Sequence, residues 1–490
     1  MDPNREITPR PTYDELATLV ASLQVELAAV RAELATARAE IVELRARLGK
    51  TSRNSSKPPS SDPPGARPRP KQKKKRRARK RGAQAGHTAH FAAVPAHVDE
   101  VHPYRPEVCE HCDADLGRGK LTGSSVSHFV YELPEIRPIV HEHLCLDVAC
   151  GKCGLVTPAS LPAGVPTGDY GPSVQAMTAL LRGELKQSVR QTSAVMTHVM
   201  HVPMSTGMVA KTQAKVSAAL ATPFDEALEY AQTRDRVHAD ETSWPVDKSM
   251  AWLWVMVAGL VTVFRAGVSR GAETAKELIG ESFRGVLITD RWASYGWVAP
   301  TMRQLCWSHL KRDFKSFLDY DGDARRVGEQ LLRETRRMFR LWHQVRDGTK
   351  TRTEFQLAMR PVRRRILTLL EDGRDLPSCR KVSGMCKHIL KLQDALFTFV
   401  DDERVEPTNN AAERALRFAV LWRKGSFGSD SHAGCLFVER FLTVRATLRT
   451  QNRDLYAFLK DACTAALNAT PAPSLLPASA RIVDERQAAA

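Results

Sequence analysis

The feature that most constrains the fold is an alternation of apolar strands and a helix in the second half of the chain. The strands are predicted because their residues are apolar or rich in β-branched and aromatic side chains. In an open α/β sheet of this kind, ligands collect at the carboxyl ends of the strands. The order is strand, strand, strand, helix, strand, over residues 236–242, 251–258, 260–268, 272–282 and 285–290.

Two carboxylates end strands of this sheet, and a third stands on a helix. Asp240 ends the first strand, Asp290 ends the last, and Glu413 lies near the start of a helix between Thr408 and Arg417. Two Mg²⁺ ions about 3.5–4 Å apart can activate an attacking oxygen and stabilise a leaving one. Each ion is held by only one or two carboxylates. The sequence therefore predicts a site for two Mg²⁺ (or Mn²⁺) ions, in the strand order expected of a ribonuclease-H-like core.

Each carboxylate also has a structural interpretation. Asp290 could cap the turn before Trp292, while Glu413 could close a capping box with Asn410 or pair with Arg417. Taken singly, neither residue distinguishes the two interpretations. Their joint placement around the predicted sheet favours the metal site.

Asp240 has an acidic neighbour, Glu241, that competes for the same role. Successive side chains on a strand point to opposite faces, so the two carboxylates cannot both reach one metal pair. His238, Asp240 and Thr242 are predicted to share one face, and Val237, Ala239 and Glu241 the other.

A heptad repeat predicts a coiled coil over residues 13–49. The unbroken 3.5-residue spacing favours a homo-oligomer over a lone amphipathic helix packed on another domain. The repeat ends at Gly49. Its apolar positions are Leu16, Val20, Leu23, Leu27, Val30, Leu34, Ala37, Ile41, Leu44 and Leu48.

A basic segment follows, predicted to be a disordered linker or arm over residues 50–90. It is rich in Ser, Pro, Lys and Arg, and there is no acidic residue between Asp62 and Asp99. Positive charge concentrated in this way attracts polyanions by releasing their counterions, so the arm favours DNA over a solvated tail or a membrane patch. The candidate DNA contacts are Lys71, Lys73, Lys74, Lys75, Arg76, Arg77, Arg79, Lys80 and Arg81.

Two C-x-x-C motifs predict a zinc-binding module over residues 95–165. Cys109 and Cys112 form one pair, Cys150 and Cys153 the other, and four thiolates suit one structural Zn²⁺. The long gap between the pairs is expected to hold a hairpin, with strands over residues 126–133 and 136–146.

Residues 170–228 are predicted to form a helical domain. Gln191 to Val209 has the pattern of a helix, a turn and a second helix capped by Ser205, which favours plain packing over DNA reading. A C-terminal helix and tail are expected over residues 451–490.

The remaining composition bears on location. No apolar signal core follows Met1, and the apolar run from Ala251 to Phe264 is too short to cross a bilayer, which needs roughly 20 residues. Ten cysteines in 490 residues do not suggest a disulfide framework. We therefore expect a reducing cytoplasm and no association with a membrane, and the resemblance to a bacterial family that follows adds an expected association with the nucleoid.

Four motifs in this order resemble the insertion-sequence-sixty-six family of bacterial DDE transposases. The resemblance extends upstream through the coiled coil and the four cysteines, and covers roughly residues 15 to 465. The motifs are His238-Ala-Asp-Glu-Thr242, Thr289-Asp-Arg-Trp-Ala-Ser-Tyr295, Cys306-Trp-Ser-His-Leu-Lys-Arg-Asp-Phe314 and Asn409-Asn-Ala-Ala-Glu-Arg-Ala-Leu-Arg417.

The resemblance implies a multidomain α+β chain with a ribonuclease-H-like catalytic domain over residues 232–450 and a helical insertion over 324–400. It assigns catalysis to Asp240, Asp290 and Glu413. Water would cut the phosphodiester at the transposon end, and the freed 3′-hydroxyl would attack target DNA. Arg414 and Arg417 could hold the flanking phosphates, and small accessory proteins of the same element are expected.

Two other classes of function compete with transposition. One is a non-catalytic DNA-binding protein, such as a regulator or an inactive transposase. The other is a ribonuclease-H-like nuclease that cuts without joining. The presence of all three carboxylates argues against the first class.

Overall fold

The computed structural model describes residues 12–48, 94–247 and 249–477. The predicted basic arm, including all of its candidate DNA contacts, lies outside the described residues. The described residues fall into two compact units, one of residues 94–139 and the other of residues 12–48 together with 140–247 and 249–477.

The heptad repeat forms one long helix, α1, from Tyr13 to Leu48. Its apolar stripe faces solvent in the single chain, where Leu23 and Leu27 are 52% and 49% exposed. The helix predicted from the repeat is therefore present, and its pairing with a second copy stays a prediction.

The segment between the cysteine pairs differs from expectation. Strands β1 (Val148–Ala149) and β2 (Val156–Thr157) pair antiparallel around the second pair. The strands predicted over residues 126–133 and 136–146 are wrong, because those residues form no strand pairing. Most of their apolar side chains are exposed. Because no other element of the described chain packs against them, strand formation would bury no apolar surface.

Four helices form the predicted helical domain. Ser205 is the N-cap of the helix that begins at Thr206. Its hydroxyl accepts a hydrogen bond from the Met208 N–H at 3.2 Å, so the predicted cap is confirmed. Buried Leu181, Met196 and Val209 help to join the first three helices. The bounds are Pro172–Gly183 (α2), Val189–His198 (α3), Thr206–Ala219 (α4) and Ala221–Gln232 (α5).

A five-stranded mixed sheet follows, in the order β5-β4-β3-β6-β7. The first three strands are antiparallel neighbours, whereas β6 runs parallel to both β3 and β7. Gly259, at φ +63°, makes the tight turn between β4 and β5. The bounds are Arg236–Ser243 (β3), Trp252–Ala258 (β4), Val261–Val268 (β5), Ala272–Ile279 (α6), Val286–Thr289 (β6) and Arg303–Leu305 (β7).

Helices cover both faces of this sheet and build two hydrophobic cores. On β6, Leu287 packs in the core shared with the helices over residues 410–426 and 432–450. Its neighbour Ile288 packs in the core of the helical insertion. The bounds of the helices are Trp307–Ser316 (α7), Gly322–Arg346 (α8), Arg352–Arg374 (α9), Arg380–Leu390 (α10), Thr398–Asp401 (α11), Asn410–Ser426 (α12), His432–Thr450 (α13) and Leu455–Leu467 (α14).

Among the described residues, no helix combines the length and the apolar character that a bilayer crossing requires.

Candidate active site

Strand β3 presents its two acidic residues to different surroundings. His238 contacts the Asn409 carboxamide through Nδ1 at 3.1 Å, and the Thr242 hydroxyl contacts Arg423 at 2.9 Å. Both partners belong to α12 or its first cap, so Asp240, which alternates with them, also faces α12. Glu241 points the other way, which agrees with the predicted alternation.

Glu241 is held in place by half-buried Arg270 and buried Tyr295. Its side chain is 2% exposed and accepts two hydrogen bonds from the Arg270 guanidinium, at 3.0 and 2.8 Å. The Tyr295 hydroxyl donates a third at 2.7 Å. Arg270 is itself stacked between Trp252 and Trp292, with 4.3 and 3.7 Å to the ring centroids. Burial and the Asp290 charge raise the pKa of Glu241, while the bonds to Tyr295 and Arg270 oppose that rise, so Glu241 is a structural carboxylate with a counter-charge of its own.

Asp240 lies among like charges. Burial raises the pKa of Asp240 well above its ordinary value, and the charges of Glu241, Asp290 and Glu413 raise it further. The hydrogen bond that opposes this rise comes from the adjacent backbone N–H of Glu241, at 3.0 Å. Burial likewise raises the pKa of Glu413, with Asp290 adding to the rise and Arg312 opposing it. The three predicted carboxylates, together called the acidic cluster, therefore act on one another electrostatically, although within the described residues their oxygens do not all lie within 4.8 Å of one another.

The structural interpretations of the other two carboxylates have different outcomes. Asp290 Oδ1 accepts the Trp292 N–H at 2.8 Å, so this residue caps its turn while remaining part of the acidic cluster. Glu413 does not close a capping box, because α12 is capped at Asn409 with no side-chain cap hydrogen bond. Its Oε1 is buried and lacks a hydrogen-bond partner within the described structure.

One buried amide, Asn409, joins the segments that carry the carboxylates. It is fully buried, its Nδ2 donates to the carbonyl of Ala239 at 2.7 Å, and its backbone N–H donates to Cys306 Sγ at 3.2 Å. The Cys306 N–H in turn donates to the Thr289 carbonyl at 2.8 Å. Ala239, Thr289 and the start of α12 adjoin Asp240, Asp290 and Glu413, so this chain of bonds fixes the spacing of the cluster.

Three residues of α7 and its cap lie beside Glu413. His309 Nδ1 and Arg312 Nη2 are each 3.6 Å from Glu413 Oε1. Burial and the Arg312 charge lower the pKa of His309 to about 4, so the imidazole is neutral at physiological pH. Burial raises the pKa of Cys306 to about 11. Cys306, His309 and Glu413 each offer one ligand atom within 4.8 Å of the other two.

The predicted phosphate contacts on α12 are accessible. Arg414 and Arg417 are exposed, and neither forms an ion pair within the described ranges. The Arg414 charge lowers the pKa of Glu413, which places it in the field of the acidic cluster.

The two C-x-x-C motifs adopt the same local turn, each in its own compact unit. In both, the first cysteine donates its N–H to the carbonyl five residues on and accepts from the N–H four residues on, at 2.9 Å for Cys109 and 2.8 Å for Cys150. Asp113 and Gly154 supply the positive φ that each turn needs. Hydrogen bonds from backbone N–H groups lower the pKa of Cys109 and Cys150. This geometry suits thiolates, while the four-cysteine zinc site stays a prediction.

Comparison with known proteins finds two family models along the chain. A model described as the transposase IS66 family matches residues 168–436, and one of a family of unknown function (DUF6444) matches residues 1–93. Similar curated proteins include two uncharacterized proteins of Sinorhizobium fredii. The protein y4hP is 25% identical over 392 residues, which cover 73% of this chain and 70% of the relative. The protein y4qI is 25% identical over 306 residues, covering 56% of each.

Proposed function

Because this chain belongs to the transposase IS66 family, the insertion-sequence-sixty-six family of the sequence motifs, we propose that it is a DNA transposase that cuts transposon ends and joins them to target DNA. The observation that carries the proposal is the acidic cluster. Asp240, Asp290 and Glu413 come from distant parts of the chain, and their like charges raise the pKa of Asp240. Such a cluster costs free energy unless a cation binds it.

The donors fit hard divalent cations. Carboxylate oxygens are the ligands that Mg²⁺ and Mn²⁺ prefer, and Glu413 Oε1 is buried with no hydrogen-bond partner among the described residues. Two such ions per active site would activate the attacking oxygen and stabilise the leaving one. Asp240, Asp290 and Glu413 hold the ions, and Arg414 and Arg417 orient the flanking phosphates. Asn409 keeps the carboxylates at their spacing.

The sheet supports a ribonuclease-H-like catalytic domain. Its order is β5-β4-β3-β6-β7, in which three antiparallel strands are followed by two strands parallel to β3. The helical insertion lies between β7 and the helix that carries Glu413. Asp290 directly follows β6, and Asp240 lies within the parallel neighbour β3, two residues beyond the last β3–β6 pair, His238 with Ile288. This placement also agrees with ligand binding at carboxyl ends of strands.

The flanking regions extend the proposal to binding and assembly. Cys109, Cys112, Cys150 and Cys153 hold one structural Zn²⁺, and the basic arm from Lys71 to Arg81 binds DNA phosphates. The exposed apolar stripe of α1 supports a homo-oligomer, which would bring two transposon ends together. Small accessory proteins of the same element are further partners.

A strand-transfer assay tests the proposal. The full chain is incubated with Mg²⁺, labelled duplex from the genomic flanks of its reading frame, and plasmid target. We expect nicked ends with free 3′-hydroxyls, followed by products joined to the plasmid. Cutting without joining would instead indicate a nuclease, and DNA binding without cutting would indicate a non-catalytic DNA-binding protein.

A further inference from the structure

A second set of possible metal ligands adjoins the acidic cluster. Cys306, His309 and Glu413 offer a thiol, an imidazole and a carboxylate, with one ligand atom of each within 4.8 Å of the others. His309 Nδ1 and Glu413 Oε1 are 3.6 Å apart. Two donors bound at roughly 2.0–2.2 Å in a tetrahedral zinc site stand at nearly that separation.

Two of these donors make no hydrogen bond in the described structure, and the ion pairs that Glu413 Oε1 forms with His309 and Arg312 are long, at 3.6 Å. His309 Nδ1 and Glu413 Oε1 are both buried and both lack a hydrogen-bond partner. Nearly all buried polar atoms of native proteins are hydrogen-bonded, and a site for a bound ion is one recognised reason for an exception. Two buried atoms that face each other at 3.6 Å beside a thiol, too far apart for a hydrogen bond, therefore point to a common ligand.

The third donor, Cys306, is a buried thiol whose pKa burial raises to about 11, and backbone N–H groups around its Sγ oppose that rise. Cys306 is the N-cap of α7, and its Sγ accepts the Asn409 N–H at 3.2 Å. The backbone N–H groups of Ser308 and His309, at the start of the helix, also favour the thiolate. Helix N-termini and backbone N–H groups stabilise thiolate ligands.

We propose that Cys306, His309 and Glu413 bind a thiophilic divalent cation, with Zn²⁺ the best match, at a site distinct from the four-cysteine module. A thiolate and an imidazole select Zn²⁺ over Mg²⁺, which takes oxygen ligands. On binding, the Cys306 thiol loses its proton to solvent. Three protein donors leave one coordination position open.

Arg312 opposes occupation of this site. Its Nη2 lies 3.1 Å from His309 Nε2, and because a guanidinium only donates, Nε2 must accept. The neutral ring then carries its proton on Nδ1, the atom that faces Glu413. Zinc binding shifts that proton to Nε2 and displaces the guanidinium. Arg312 therefore sets the affinity of the site.

The shared carboxylate couples this site to catalysis. This consequence rests on the proposed function, in which Glu413 is also a magnesium ligand. An ion held by Cys306 and His309 withdraws Glu413 from the acidic cluster, so Zn²⁺ inhibits Mg²⁺-dependent cutting. Raising the Mg²⁺ concentration restores it.

Zinc counting on the full-length protein tests the site without DNA. Equilibrium dialysis against Zn²⁺ compares wild type with Cys306→Ser, His309→Gln and Arg312→Gln. The matched control is Cys379→Ser, because Cys379 also caps a helix, α10, but belongs to no metal-ligand group within the described residues. Thermal unfolding of each variant shows that it is folded.

We expect wild type and Cys379→Ser to bind one more Zn²⁺ per chain than Cys306→Ser and His309→Gln. Arg312→Gln should bind that ion about tenfold more tightly, a gain that misfolding does not produce. Equal zinc content in all five proteins, or loss of the ion from Cys379→Ser, would overturn the proposal. Failure of wild type to cut DNA would refute the proposed function while leaving the zinc count unaffected.

Discussion

Asp240 and Glu241 are neighbours in sequence and opposites in environment. Glu241 is neutralised by Arg270 and by the Tyr295 hydroxyl, whereas Asp240 is surrounded by other carboxylates. The fold thus provides a permanent counter-charge to one buried acid and withholds it from the other. A buried acid left among like charges requires a cation from outside the chain, which is what distinguishes a site residue from a structural one.

The largest expected effect concerns the unpaired acid. Asp240→Asn should lower cutting and joining by about 10³-fold or more, because it removes a metal ligand from the reaction centre. DNA binding should stay close to wild type, since the basic arm is unchanged. Cleavage kinetics and DNA-binding isotherms measure the two effects. Asp235→Asn, an exposed residue just before β3, is the control and should cut normally; an active Asp240→Asn would refute the assignment.

The next effect concerns the amide that sets the spacing. Asn409→Ala leaves the Ala239 carbonyl and the His238 ring without their partner, and should lower the free energy of unfolding by about 2–3 kcal/mol. It should also reduce the cutting rate of folded protein at saturating Mg²⁺. Denaturant unfolding and single-turnover kinetics check these outcomes. Unchanged kinetics in a destabilised variant would limit Asn409 to a structural role.

A smaller loss of stability is expected for Glu241, the acid of β3 that has a counter-charge. Glu241→Gln keeps the shape of the side chain but removes the charge that holds Arg270, so it should destabilise the fold by about 1–2 kcal/mol. Measurable cutting should remain, because Glu241 does not face the acidic cluster. Chemical denaturation gives the first quantity and the transfer assay the second. A dead Glu241→Gln beside an active Asp240→Asn would reverse the comparison.

The smallest effect is a pH dependence of stability. Folding raises the pKa of Asp240 and of Glu413 above their ordinary values of 3.8 and 4.5. The folded state then binds more protons than the unfolded state, so the metal-free protein should lose stability as pH rises from about 4 through those raised pKa values. Mg²⁺ should offset the loss, and Asp240→Asn should reduce both effects. Thermal melts with and without Mg²⁺ measure this; a metal-free stability that rises across this range would contradict it.

Local pattern in the sequence predicts much of this structure. The four strands predicted for the large sheet appear within one or two residues of their expected bounds. The prediction that Asp240 and Glu241 lie on opposite faces of β3 agrees with the contacts of that strand. Strand β7 could not be predicted from pattern, because it has three residues and two of them are the buried polar side chains Arg303 and Gln304. Their partners include the Thr289 hydroxyl and a backbone carbonyl of the insertion, which no local signal reveals.

The candidate site shows the same limit. The joint placement of Asp240, Asp290 and Glu413 around the predicted sheet, together with the family resemblance, indicates these residues from the sequence, although Asp290 also caps its turn. The roles of Asn409 and Arg312 depend on partners that only the folded chain brings near. The strands predicted between the cysteine pairs show that local composition can also mislead. A segment rich in β-branched residues forms no sheet unless another element packs against it.

The hydrogen bonds of Asn409 also bear on when during synthesis the protein becomes active. They join Asn409 to Ala239, 170 residues earlier in the sequence, and to Cys306, 103 residues earlier. Contacts between residues so far apart in sequence form slowly in folding. The helical insertion has a hydrophobic core largely its own and can fold while α12 is still being made. A nascent chain therefore exposes Asp240 and Asp290 without Glu413, and we expect it to remain incapable of damaging the DNA around the ribosome until its last helices have docked.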